Sequence, residues 1–342
     1  MDPGTHVLAS LVLARGFFPR RPWFFLLAVV LAGTLADGDL LTLLFGPSAY
    51  LSGRNTWTHS IVGALVIAAI SAVIGKSLGL RSGPSPKAIS ASSTFVAIFL
   101  ASSFSAFVHV LLDLATSSGI AALWPIRPTR FAWDILPATD PWILSLLAAG
   151  LALPELFRLV GSEIGAKDKA PRGRNGALVA LAFVCLYVGA RMILHGDAAA
   201  QLDAHSYRGE TPRRIAALPD SLSLFTWHGI VETTSQICTA DVPASNVARF
   251  DPEAAVCIHK PEPSPALTAT QQTDAAQAFL GAARFPKASV GTLDSETEAV
   301  IRDMRAIAAG PSRYDLAVRI LLDANGQVTS QHIVWAREVH LR

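Results

Sequence analysis

Three histidines and three aspartates stand out in the apolar first half of the chain, and their types and spacing suit a metal centre. His109 and Asp113, in His-Val-Leu-Leu-Asp, are four residues apart, so on a helix both leave from one face and can reach one ion or each other. Asp37-Gly38-Asp39 sets two carboxylates around a glycine whose freedom lets the backbone turn both toward one point. His59 lies in Trp57-Thr58-His59-Ser60, just before an apolar run, and His6 follows Asp2 at the start of the first apolar segment. A carboxylate at membrane depth is costly, and such groups pair or line a functional cavity. Mixed imidazole and carboxylate donors suit zinc first, then manganese or iron(II), better than magnesium or calcium. His6, Asp39, His59, His109 and Asp113 are therefore the expected metal ligands. Asp37 is a further ligand or a general base toward a metal-bound water, whose pKa such an ion lowers to about 7.

Each of these residues also has a plainer reading. His6 fits an interfacial histidine, and the aspartate pair fits a helix end with its cap. Asp134 and Asp140 fit turn or capping roles, and Asp140-Pro141-Trp142 reads as a helix start. The remaining histidines, from His195 to His340, show no ligand spacing.

The elements that must position these groups are apolar spans. Of the 342 residues 51% are hydrophobic and only 16% charged, against about a quarter charged in a soluble domain. Mean hydropathy is +0.41. The deficit is local: residues 61–74 and 88–109 carry no Asp, Glu, Lys or Arg. Repeated runs of this kind, bounded by Arg, Lys, Pro and Gly, fit lipid better than one oversized core. Apolar segments fall at about 5–18, 22–44, 60–75, 95–117, 142–160 and 176–194. The expected fold is mainly α, with about six segments, or five, in a membrane domain over residues 1–195. No cleavable signal is expected, because the start lacks a basic region and a small-residue cleavage pattern.

Basic residues set the expected orientation. Loops 15–21, 76–87 and 158–174 carry eleven Lys and Arg, whereas the opposite loops carry Arg54, Arg127 and Arg130. That bias points the first set to the cytoplasm. All six candidate site residues then fall in one outer layer, although the charge count did not use them. The net charge of +2, with its cations at span ends, gives no nucleic-acid footprint.

Residues 196–342 have ordinary charge and no candidate span, and they are expected to form a small α+β domain outside the membrane. From Tyr314 to Leu322, Leu316, Val318 and Ile320 alternate with Ala317 and Arg319; Asn325-Gly326, Val328 and Ile333-Val334-Trp335 follow. This reads as a β-hairpin. Residues 264–279, rich in Ala, Thr and Gln, read as linker followed by helix. Cys185 sits in an apolar run, while Cys238 and Cys257 lie in the outer part. They would bridge in an oxidising compartment, and the sequence leaves both states open.

The motifs resemble the bacterial inner-membrane metal-dependent hydrolases of the YdjM type, some of them LexA-regulated. The resemblance rests on Asp2-Pro3-Gly4-Thr5-His6, Leu35-Ala36-Asp37-Gly38-Asp39, Thr58-His59-Ser60 and His109-Val110-Leu111-Leu112-Asp113. It continues through Leu123-Trp124-Pro125, Phe131-Ala132-Trp133-Asp134 and Asp140-Pro141-Trp142, covering about residues 1–195. The outer part resembles an extension carried by some members, through Leu218-Pro219, Phe225-Thr226-Trp227 and Val231-Glu232. One departure stands out. Many members carry His-Arg shortly before Thr-His-Ser, where this chain has Arg54-Asn55-Thr56-Trp57. Arg54 could instead orient a substrate phosphate or carboxylate.

The leading expectation is a metal-dependent hydrolase acting at the outer leaflet on a membrane lipid or lipid-linked ester or phosphoester. Two alternatives stay open. A transporter or metal-ion channel also buries charged and imidazole groups, but the clustering in one layer and the lack of a visible inverted repeat tell against it. A scaffold with a closed structural metal site is the other.

Overall fold

The computed structural model describes residues 1–81, 91–163, 173–244, 250–293, 296–308 and 315–338. The basic loops at 76–87 and 158–174, and Tyr314 of the expected hairpin, lie wholly or partly outside the described residues. The chain divides into two compact units, one of residues 1–39 and 55–192, the other of residues 40–54 and 193–342.

In the first unit, helix α1 (Pro3–Phe17) starts at Asp2, whose carboxylate accepts the Thr5 N–H at 3.0 Å, with Pro3 in the first turn. Helix α2 (Trp23–Ala32) is wholly apolar. After Gly33 the chain turns by 50° into a 3₁₀ helix, Leu35–Phe45, that carries both aspartates. Helix α3 (Pro47–Gly53) belongs to the second unit. Four long helices follow: α4 (Ile61–Arg81), α5 (Ala91–Leu114), α6 (Pro141–Glu163) and α7 (Arg174–Asp203).

These four are long and apolar enough to cross a membrane, and the bent pair of α2 with the 3₁₀ helix makes up to five. Of the expected counts, about six or five, the lower lies within this range among the described residues. Segment 5–18 forms the 15-residue α1, only ~22 Å long at 1.5 Å per residue against a hydrocarbon thickness of ~30 Å. Its Ala9 and Val12 are instead buried with Ile143 and Leu147 of α6 and Ala177 and Ala180 of α7.

Packing within this unit follows the membrane rule, in which small side chains let helices approach. Ala64 and Ala68 of α4 share a buried cluster with Ala106 and Val110 of α5, and Ala72 shares one with Ile98 and Ala101. Large apolar groups such as Leu100 and Leu186 are exposed, which suits lipid contact. The Thr-His-Ser segment is a short 3₁₀ turn that ends in a cap. Ser60 Oγ accepts the Gly63 N–H at 2.9 Å and donates to Trp57 O at 2.7 Å, fixing the start of α4.

The second unit contains two antiparallel four-stranded meanders. The first is β1 (Arg214–Pro219), β2 (Thr226–Glu232), β3 (Gln236–Pro243) and β4 (Val256–His259). The second is β5 (Pro286–Leu293), β6 (Glu296–Asp303), β7 (Leu316–Leu322) and β8 (Val328–Trp335). Between the sheets come two short helices, α8 (Pro265–Gln271) and α9 (Asp274–Leu280), where linker and one helix were expected; α10 (Met304–Ala308) follows β6.

The expected hairpin is β7–β8, turning at Asn325-Gly326 with Gly326 at φ +76°, a conformation that favours glycine. Ala198 and Leu202 of α7 are buried with Trp227 and Val242. Leu51 of α3 rests against the cluster of Ala276, Phe279 and Ile320, and the Tyr50 ring centroid is 5.9 Å from that of Trp335. Nothing in the sequence of residues 40–54 announced that this loop joins the β-rich unit. Cys238 and Cys257 face each other in register across β3 and β4 and are disulfide-bonded, whereas Cys185 is free and exposed.

Candidate metal centre

The bent connection after α2, the Thr-His-Ser turn, the first turn of α1 and the last turns of α5 bring six side chains together. His6, Asp37, Asp39, His59, His109 and Asp113 are all buried, none more than 8% exposed. Asp113 is the hub. Its Oδ2 lies 3.0 Å from His59 Nε2 and 3.1 Å from His109 Nε2, while Oδ1 lies 3.3 Å from His6 Nε2. The N-terminal ammonium of Met1 also abuts Asp113 Oδ1. Asp37 Oδ1 is 4.0 Å from His59 Nε2. The imidazoles are mutually close, with ring centroids of His6 and His109 3.7 Å apart in a stack and those of His59 and His109 5.1 Å apart.

Two of the imidazoles are oriented from behind. His109 Nδ1 is 2.9 Å from the Gly33 carbonyl, so Nδ1 carries the proton and donates, leaving the Nε2 lone pair on the inner side. His59 Nδ1 faces Asp39 Oδ2 at 3.1 Å and the Thr58 hydroxyl at 2.9 Å. Asp39 Oδ2 is itself held by the Asn55 N–H at 2.8 Å and the Thr58 hydroxyl at 3.2 Å. Asn55 adopts φ +57°, an uncommon conformation for a residue other than glycine. It is secured by Nδ2 donating to Gly119 O at 3.1 Å and by its own carbonyl accepting the Ala121 N–H at 3.0 Å.

The inner atoms behave differently. His59 Nε2 and His109 Nε2 are buried at 3.0 and 3.1 Å from Asp113 Oδ2, yet none of the three atoms is in a hydrogen bond among the described residues. Atoms that crowd together without pointing at one another converge on a shared point, as ligands of a cation do. Three overlapping groups satisfy that geometry, with one donor atom per residue and all within 4.8 Å: His6/Asp37/His109, His59/His109/Asp113 and Asp37/Asp39/His59. Three buried carboxylates also call for cationic compensation. The donor set therefore fits a divalent transition metal.

The structure thus assembles six of the seven residues the sequence nominated. The seventh, Arg54, is a cation and not a ligand type; it caps the end of α3, its N–H donating to Tyr50 O at 2.9 Å. Asp140 has the plainer role, its Oδ1 capping α6 through the Trp142 and Ile143 N–H groups at 2.9 and 3.0 Å. Tyr187 donates to its Oδ2 at 2.9 Å. Asp134 is buried at φ +57° and joins none of the three groups. Sequence reasoning overlooked Asn55, Thr58 and the Gly33 carbonyl. Thr58 was visible within Thr-His-Ser, whereas a backbone carbonyl and a backbone N–H leave no mark on residue type.

The family model for YdjM inner membrane protein matches residues 1–198. The chain belongs to the YdjM family. No curated protein and no solved structure matches it. The matched region contains every residue of the cluster, so the buried His/Asp centre lies in the part that defines family membership. With four or five long apolar helices among the described residues, this YdjM-family chain is a multi-pass inner-membrane protein.

Proposed function

We propose that the chain is a metal-dependent hydrolase that acts at the outer leaflet on a lipid-linked ester or phosphoester. One observation carries the reading: His59 Nε2, His109 Nε2 and Asp113 Oδ2 converge without hydrogen bonds among them. When bound, a divalent metal, zinc foremost, would supply Lewis acidity and an acidified water. His59, His109 and Asp113 would hold it, with His6 at the Asp113 Oδ1 edge. Asp39 keeps His59 turned inward through Nδ1, and Thr58 and the Asn55 N–H keep Asp39 in place. Asp37, beside the His59 Nε2 edge, accepts the proton of the attacking water. Arg54 keeps the part its chemistry suggests, orienting the phosphate or carboxylate of the substrate.

Several features support the finer points. The basic-residue bias supports a periplasmic C-terminal part, and the Cys238–Cys257 bridge suits an oxidising compartment. Trp57, next to buried Thr58 and His59, is half exposed, as are Trp124 and Trp133 on the segment that bonds Asn55. Such indoles favour the headgroup level of a bilayer, where an amphipathic substrate presents its polar bond.

The test is metal content together with initial rates on a panel of lipid esters and phosphoesters, using protein purified from membranes. Turnover that chelation abolishes and metal restores is the expected result. Tight metal binding with no turnover across the panel would replace the hydrolase by the scaffold reading.

A further inference from the structure

A second polar feature descends from the metal cluster into the apolar helices. On α5, Ser102, Ser105, His109 and Asp113 are spaced at i, i+3, i+7 and i+11, which places all four on one helical face over ~16 Å. All four are buried. On α1, Ser10 lies one turn beyond His6, and its Oγ is 3.4 Å from Ser105 Oγ. Gly33 stands against both hydroxyls while its carbonyl accepts from His109. Helices α4 and α5 run antiparallel, since Ala64 and Ala68 share one buried cluster with Ala106 and Val110, and Ala72 shares another with Ile98 and Ala101. A methyl group built on Gly75 would stand 3.6 Å from Ile98 Cγ2. One turn along each helix from that contact brings fully buried Ser71 to the level of fully buried Ser102.

The hydroxyls of Ser71 and Ser102 have no hydrogen-bond partner among the described residues. A serine in a membrane helix ordinarily bonds the carbonyl one turn back, and a buried hydroxyl without a partner is destabilising. Close packing alone does not require serine. Alanine already serves that purpose at Ala68, Ala72, Ala101 and Ala106 in the same interface. Ordered water is the usual partner of such buried groups.

We propose that Ser71, Ser102, Ser105 and Ser10 line a water-binding seam that joins the inner side of the metal cluster. The seam gives the buried cluster a store of water and a route for protons. It applies whether the cluster hydrolyses a substrate or passes an ion.

The test is accessibility of single cysteines to Ag⁺, an ion small enough to follow a file of water, in native membranes and chloride-free buffer. Ser71→Cys, Ser102→Cys and the apolar control Ala72→Cys are each placed on a Cys185→Ser background. The readout is protection from maleimide labelling after denaturation. Blocking of the two seam positions at least tenfold faster than the control is expected. Equal rates at all three, fast or slow, overturn the proposal.

A second measurement stands if a cysteine variant misfolds. In an empty seam, Ser71→Ala and Ser102→Ala remove unpaired hydroxyls and raise Tm; in a hydrated seam they remove water partners and lower it. Raised Tm in both alanine variants also overturns the proposal.

Discussion

In the β-rich unit, His228 sits between two aspartates, with Nδ1 2.8 Å from Asp241 Oδ1 and Nε2 3.4 Å from Asp220 Oδ2. Both ring nitrogens have a partner, and the residue is partly open to solvent. In the helical unit, His59 and His109 each engage Nδ1 and bring Nε2 beside Asp113 outside any hydrogen bond. The same residue types are present in both places. The difference lies in where the second nitrogen goes. A histidine between two carboxylates is complete without a ligand, and partly exposed pairs such as Lys260–Glu232 or Arg319–Glu298 contribute only about 0–1 kcal/mol each. Buried groups that converge unbonded acquire a partner only from outside the chain.

The largest effects should come from the converging atoms. Asp113→Asn, His59→Ala or His109→Ala is expected to weaken metal binding by more than the roughly 10–100-fold typical of outer-shell changes, as read by titration of folded protein. Two such variants with wild-type affinity would remove the contrast between the units. His228→Ala is the matching control and should leave metal content unchanged.

Asp37→Asn should separate binding from turnover. A carboxamide cannot take the proton of water, so the rate should fall by about 10²–10⁴-fold while much of the metal remains. Full rate with full metal would rule out Asp37 as the base.

Asp39 and Asn55 sharpen the comparison further, since Asp39 Oδ2 lies 3.1 Å from His59 Nδ1 and accepts the Asn55 N–H. Asp39→Asn and Asn55→Ala should each reduce metal affinity by about 10–100-fold without abolishing it. Asn55→Gly should recover most of that loss, because glycine keeps the N–H on Asp39 and accepts φ +57°. Equal losses for Asn55→Gly and Asn55→Ala would show that the side chain, not the backbone geometry, matters.

How much of this was legible follows from the kind of atom involved. His109 and Asp113 were readable because a helix converts a spacing of four into one face, and the Asp-Gly-Asp and Thr-His-Ser segments because their side chains are costly in lipid. The hairpin was readable from alternation and Asn325-Gly326. Helix α1 was the less readable segment, because composition alone does not distinguish burial against helices from burial in lipid. The joining of residues 40–54 to the β-rich unit was invisible, since Tyr50 and Leu51 are ordinary apolar residues until their contacts are known. Asn55 was noticed only as a departure from the family pattern, and its contribution is a backbone N–H.

The β-rich unit offers smaller effects. The 19-residue separation of Cys238 and Cys257 makes the bridge worth about 3 kcal/mol on loop entropy, so reduction should speed hydrogen exchange in β3 and β4 and leave metal content alone. Asp303 gives the smallest expected effect. Burial acts to raise its carboxyl, but the Arg305 guanidinium and the N–H groups of Arg305 and Arg284 outweigh this and hold it below the usual value of 3.8. A depressed folded-state pKa contributes stability above 3.8 that is lost as pH falls through the folded value. Asp303→Asn should therefore flatten the acid limb of stability in this unit, measured by exchange at β6.

The central claim is most directly tested by elemental analysis combined with X-ray absorption on protein purified from native membranes without chelator. The account predicts at least one transition metal per chain with imidazole scattering in its coordination shell, lost in Asp113→Asn and unchanged in His228→Ala. Folded protein that carries no such metal, and takes up none from zinc, manganese or iron(II), would contradict it.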